Sequence, residues 1–231
     1  MKALLLDIEG TLAPLDFVHG TLFPYSAERM ADFVANNFNA LSVTIELLAS
    51  EARSDPDADD RIDFGSPGEV AEYLNELIAR DRKSTALKEI QGRIWRSGFE
   101  NDELTAPLFD DVPGALARSH GRGELIAIFS SGSILAQKLF FSHTTSGDLS
   151  GLVDAYFDTT TGPKREPSSY IKIAEMLGIG PADIFFISDM LAELDAAAAA
   201  GMRTALALRP GNAVINDPGP HRCIGTLDDL E

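Results

Sequence analysis

The sequence predicts an α/β fold, a doubly wound parallel sheet with an all-helical unit inserted after the first strand. Three observations lead there. From Ala106 onward short apolar runs alternate with helical patterns, as in a parallel sheet covered on both faces. An isolated apolar run, Ala3 to Leu6, opens the chain and belongs to the same sheet. Between them, roughly Phe17 to Thr105, strands are hard to find and helical periodicity dominates. At 231 residues the chain has room for one large domain or for one core with an insertion.

Taken in order, the strand Ala3 to Leu6 leads into the insertion, where residues 25–38, 41–50, 68–83 and 84–99 read as helices. Ser84 suits an N-cap, and Gly98 lies where the last of these helices should stop. Beyond Ala106 the expected order is strand 124–131, helix 133–141, strand 152–159, helix 168–178, strand 183–189, an Ala-rich helix 190–201 closed by Gly201, and strand 203–210. The expected domains are a core of residues 1–16 and 106–231 and a helical cap of residues 17–105.

Composition narrows the function. With 45% hydrophobic and 24% charged residues the chain has the make-up of a soluble globular protein. Lys and Arg number 19 against 36 Asp and Glu, a net charge of −17 that argues against a nucleic-acid or anionic-membrane partner. A small anionic substrate remains compatible, because a metal ion, one lysine or a helix N-terminus suffices locally. The lone Cys223 fits a reducing compartment, and the Lys-poor start broken early by Asp7 does not read as a signal segment, so a cytoplasmic protein is expected. Residues 54–63, "SDPDADDRID", read as a solvated acidic loop.

The stretch "LLLDIEGTL" sets two carboxylates, Asp7 and Glu9, at the end of a buried strand, where they need a cation or hydrogen-bond donors. In a doubly wound sheet, ligands bind beyond the carboxyl ends of the strands. The polar residues there are Asp7 and Glu9, then Ser130 and Ser131, then Asp158 and Lys164, then Asp189. Singly, each is commonly a turn or capping residue. Together they make a phosphate site with a metal. Asp7 and Asp189 can share a hard cation such as Mg²⁺. Ser131-Gly132-Ser133 opens a helix whose free amides favour an anion, and Lys164 adds a point charge. Glu193, one turn after Asp189, suits either the surroundings of the metal or open solvent.

These motifs resemble a known family. "DIEGT", "FSSGS", the Lys164 loop "TGPKREP" and "FISDMLAELDAA" match, in order and spacing, the motifs of the haloacid dehalogenase superfamily of aspartate-nucleophile phosphatases. Glu9 stands where that superfamily normally has Asp. This departure, with "DIEGTLAPLDFVHGTLFPY", "TALKEIQGRIWRSGF", "GDLSGLVDAYFDTTTGPKRE" and "RPGN", is similar to the enolase-phosphatases (acireductone synthases) of methionine salvage over nearly the whole chain. The acidic loop is the least family-like part, and Leu12 replaces an expected threonine.

The resemblance implies a HAD-like, Rossmannoid core and Mg²⁺-dependent hydrolysis of a small phosphorylated diketone through an aspartyl-phosphate, in a monomer. Asp7 would be the nucleophile and Glu9 the general acid and base. Asp7, the Glu9 carbonyl and Asp189 would hold the metal, and Ser130, Ser131 and Lys164 the phosphate. The base for enolisation is left open between Glu9 and a cap residue. His19 is a candidate for lining the site from the cap, with Phe17, Leu22 and Phe23 as apolar candidates that core packing explains equally well. A phosphatase for a sugar phosphate or phosphoglycolate, a phosphoacceptor module and a metal-free dehalogenase are the alternatives. Glu9, the helical insertion and Asp189, respectively, argue against them.

Overall fold

The computed structural model describes residues 2–58, 61–82 and 84–230. The chain divides into two compact units, Met1–Phe17 with Thr105–Glu231, and Val18–Leu104.

The first unit is built on β1 (Ala3–Leu6), every residue of which is buried because both of its faces are covered. It pairs in parallel with β2 (Leu125–Phe129) on one side and β4 (Ile184–Ser188) on the other, Leu6 lying level with Ile128 and Ile187. With β3 (Ala155–Phe157), β5 (Arg203–Ala207) and β6 (Arg222–Ile224), the six-stranded parallel sheet runs β3-β2-β1-β4-β5-β6. The chain thus departs from β1 in both directions, and the switch point lies at the carboxyl end of β1.

Four helices, α5 (Val112–Gly121), α6 (Ile134–Ser142), α7 (Pro167–Leu177) and α8 (Leu191–Ala199), connect these strands. Alternate residues Ala3 and Leu5, Ala127 and Phe129, and Ile184 and Phe186 pack with Tyr170, Ile173 and Leu194 in one core. Three expectations need correction. The strand expected at 152–159 is only Ala155–Phe157, its approach being a short 3₁₀ turn at Ser150–Leu152. Helix α5 and edge strand β6 were not expected: Pro113 and Gly114 early in α5 mask its pattern, and β6 is too short to show one.

The second unit is helical: α1 (Phe23–Asn37), α2 (Ser42–Ala52), α3 (Pro67–Ala79) and α4 (Thr85–Glu100), packed through Met30, Val34, Leu48, Leu74, Leu87 and Ile90. Ser84 caps α4 as expected, its Oγ accepting from the Leu87 amide at 3.0 Å. That helix ends at Glu100, close after Gly98 as expected, but the glycine also has a packing role. A Cβ there would stand 2.6 Å from Tyr25 Oη, so the glycine is a packing requirement. The described part of the acidic loop is largely exposed, as expected, and Arg82 supplies it with a cation. Arg82 pairs with Asp55 at 2.6 Å and Asp57 at 2.7 Å; Asp59 and Asp60 lie outside the described residues. His19 is exposed in the π-helical turn Val18–Leu22, edge-on to Phe23 at 5.1 Å. No described helix is long and apolar enough to cross a membrane.

Candidate active site

The loop between β3 and α7 brings a lysine between two buried carboxylates, one following β1 and one on α8. Asp7 follows β1 directly, its amide bonded to the Ile187 carbonyl at 3.0 Å and the residue only 6% exposed. Its Oδ1 accepts from the Ile8 amide at 2.9 Å and from Lys164 Nζ at 2.8 Å. The same ammonium reaches Glu193 Oε2 at 2.7 Å. Ser188, the last residue of β4, lies 3.1 Å from Glu193 Oε2 and 3.4 Å from Asp7 Oδ2, so one hydroxyl proton serves both acids. Its Oγ in turn accepts from the Met190 amide at 3.1 Å.

Burial alone would lower the Lys164 pKa, but Asp7 and Glu193 outweigh it and hold the ammonium above the ordinary lysine range. Burial, then the Asp7 charge, push the Glu193 carboxyl up, with Lys164 only partly offsetting them. The lysine is also fixed from behind. Tyr170, fully buried on α7, donates to the Lys164 carbonyl at 2.7 Å, and the Phe129 ring centroid lies 5.7 Å from Nζ. Glu193 is therefore not the solvent-facing residue its position on α8 allowed.

The turn after Asp7 is wound tightly, the Ile8 carbonyl accepting from the amides of Thr11, Leu12 and Ala13 at 3.2, 2.8 and 2.9 Å. Glu9 is half-buried within it, its main chain bridged to Ala13. Gly10 has φ +66°, and a Cβ there would stand 2.5 Å from Asp189 Oδ2. Only glycine lets the Asp189 carboxylate come this close. Burial, then the Asp7 charge, push that carboxyl up to about 6 against the pull of Lys164.

At the end of β2, Ser130 is buried and its Oγ accepts from the Gly132 amide at 3.1 Å. Ser131 follows, half-buried. The helix start here is less open than expected: Asp158 Oδ2 takes the Ile134 amide at 3.2 Å and Ser133 Oγ the Ala136 amide at 3.3 Å. Asp158 also receives the Thr160 amide and hydroxyl at 2.9 and 2.6 Å, so it braces the loop toward Lys164 against α6. Asp7, Lys164 and Glu193 are thus in direct contact, Asp189 is within electrostatic reach, and Ser130 and Ser131 occupy the neighbouring strand end.

The oxygen donors suit a divalent metal. Asp7 and Asp189 are close enough for one charge to disfavour the other, which a hard cation would relieve. Among the described residues no three His, Cys, Asp or Glu side chains converge on one point. Such an ion would draw its remaining ligands from main-chain carbonyls, water and substrate.

A family model for haloacid dehalogenase-like hydrolases matches residues 1–201. Enolase-phosphatase E1 of Sorangium cellulosum is 49% identical over 212 residues, covering 92% of this chain and 90% of that protein. Enolase-phosphatase E1 of Synechococcus elongatus is 46% identical over 233 residues, covering 100% of this chain and 98% of that protein. The chain belongs to the enolase-phosphatase family of haloacid dehalogenase-like hydrolases. The crystal structure of the UTR4 protein of Saccharomyces cerevisiae, 33% identical, matches with a TM-score of 0.81 over 97% of both chains. The expectation drawn from "DIEGT" and the motifs after it is borne out for the family, the fold and the phosphatase class of enzyme.

Within this enolase-phosphatase frame the sequence pattern does not reveal Ser188, Tyr170, Arg209 or Asn212. Ser188 is the one polar residue ending the apolar run "IFFIS". Arg209 and Asn212 belong to "RPGN", a family-like stretch whose role becomes visible only in three dimensions. Arg209 Nε donates to the Thr11 carbonyl at 2.9 Å, and Asn212 Nδ2 to the Gly10 carbonyl at 2.8 Å.

Proposed function

We propose that the chain converts 2,3-diketo-5-methylthiopentyl-1-phosphate to the acireductone 1,2-dihydroxy-3-keto-5-methylthiopentene and phosphate, with Asp7 as nucleophile and residues 17–105 as cap domain. Enolisation precedes phosphoryl transfer. The observation that carries this reading is the Lys164 ammonium, bonded to both Asp7 and Glu193 at the switch point of the sheet.

That arrangement holds the Asp7 side chain aimed, with Oδ1 fixed by the Lys164 ammonium and the Ile8 amide. An ammonium has three donors, and two are taken by the carboxylates, so one is left for a phosphoryl oxygen. Ser130 and Ser131 take further phosphoryl oxygens. Asp7 attacks phosphorus, forming the aspartyl P–O bond as the ester P–O bond breaks, and Glu9 delivers a proton to the leaving oxygen. Glu9 then removes a proton from the water that attacks phosphorus, which releases phosphate, restores the Asp7 carboxylate and returns Glu9 to its acid form. A magnesium ion held by Asp7, Asp189 and the Glu9 carbonyl would neutralise charge on the phosphoryl oxygens. Glu193 and Ser188 do not touch the substrate; they keep Lys164 and Asp7 in register.

The test is a time course with the diketo phosphate and Mg²⁺, following enol absorbance and released phosphate together in the wild type and in Glu9→Ala. The expected result is enol formation with phosphate release in the wild type, and enol accumulation without phosphate in the variant. Loss of both steps in Glu9→Ala would make Glu9 the base for enolisation too. A wild type that ignores the diketone while hydrolysing other phosphate esters would overturn the substrate.

A further inference from the structure

Asn212 lies in the loop after β5, and its amide has one possible orientation. Nδ2 donates to the Gly10 carbonyl at 2.8 Å and the Ala207 carbonyl at 3.2 Å, and because both partners can only accept, Oδ1 must be the other atom. Oδ1 is buried and has no hydrogen-bond partner among the described residues. It lies 3.1 Å from the point where a Cβ on Gly10 would stand, and Asp189 Oδ2 lies 2.5 Å from that same point.

Both oxygens therefore lie beside the Gly10 Cα, and Oδ1 has no donor among the described residues. An unpaired buried carbonyl is disfavoured, and a carboxylate nearby adds to the cost. A water carried by a bound cation answers both, since it has protons for each acceptor. The loop does not need Asn212 merely to stay in place. Arg209 anchors it with two bonds of 2.8 Å to the Asp111 carboxylate, one of 2.9 Å to the Gly225 carbonyl and one of 2.9 Å to the Thr11 carbonyl.

We propose that Asn212 is a positioning residue for the divalent ion, its Oδ1 accepting from the ion's hydration water beside Asp189 while its Nδ2 fixes the Gly10 carbonyl. The inference rests on the reading of Asp7 and Asp189 as the metal ligands.

Calorimetric titration of the full chain with Mg²⁺ alone tests it, using the wild type, Asn212→Ala, Asn212→Asp and Asp189→Asn, with metal-free stability measured alongside. Asp189→Asn should lose measurable binding. Asn212→Ala should bind about tenfold more weakly, as for other groups that orient a metal's ligands. Asn212→Asp, which keeps an oxygen and loses the donor, should bind no more weakly than the wild type while losing metal-free stability. A folded Asn212→Ala with wild-type affinity overturns the inference, as does an equal loss in the Ala and Asp variants, which would mark a clamp and nothing more. Should Asn212→Ala fail to fold, a tenfold loss in Asn212→Asp overturns it. Undiminished binding in Asp189→Asn would sink the metal-site reading and this inference together, a result distinct from the others.

Discussion

Lys164 Nζ and Glu193 Oε2 meet at 2.7 Å, so the first turn of α8 holds the ammonium on which Asp7 also relies. Lys164→Met would leave two carboxylates buried without their cation. Breaking a buried pair from one side costs about 3–5 kcal/mol, and urea unfolding at neutral pH should read a loss of that size. Glu193→Gln keeps a neutral acceptor for Lys164 and should lose less stability, about 1–2 kcal/mol, while kcat falls by up to about 10²-fold as the lysine shifts.

Two glycines make opposite kinds of demand. Gly10→Ala would combine a positive φ with a Cβ 2.5 Å from Asp189 Oδ2, so the expected effect is on the site: Asp189 is displaced, and kcat/KM for the phosphate ester falls about 10²-fold or more. Gly98→Ala would press into Tyr25 and Leu104, atoms 2.6 to 2.8 Å away, inside the helical unit. Alanine would ordinarily strengthen a helix by about 1 kcal/mol, but overpacking should outweigh this and destabilise by about 1–3 kcal/mol on thermal unfolding.

Asp111 sets an acid limit on stability. Burial alone would raise its carboxyl, but Arg209, with help from the Leu227 amide, holds it below the ordinary carboxylate range. Because the folded pKa is depressed, the contribution is present above the unfolded pKa and is lost as pH falls through the folded one. Asp111→Asn should therefore lower the urea midpoint at pH 7, with the gap to wild type closing below pH ~4. A gap that widened on acidification would contradict the assignment.

Magnesium should stabilise the folded chain by mass action. At one hundred times its Kd the free energy of unfolding should rise by about 2.7 kcal/mol, and a chelator should remove the increment. Asp189→Asn should show no such rise.

What could be read from the sequence was local. The β1 run is apolar on both faces, Asp7 and Asp189 each follow a buried strand, and Ser84 precedes a helix whose orphan amides it caps. These signals lie within a few residues of their consequences. Gly98 shows the approaching helix end but not its packing role, because the Tyr25 ring it meets lies far away in sequence. Glu193 stays ambiguous because α8 alone does not show that Lys164 arrives from another loop. Arg209 and Asn212 act on carbonyls at the opposite end of the chain, contacts that follow no periodicity.

The placement of β1 has a consequence for how the chain is born. Its two neighbours begin at Leu125 and Ile184, so β1 leaves the ribosome well before either strand that pairs with it. The helical unit, Val18–Leu104, needs only nearby contacts and is complete before either of those strands. During translation the insertion matures first, while the apolar LLL segment that precedes it waits, exposed and open to a chaperone, for the rest of its own sheet.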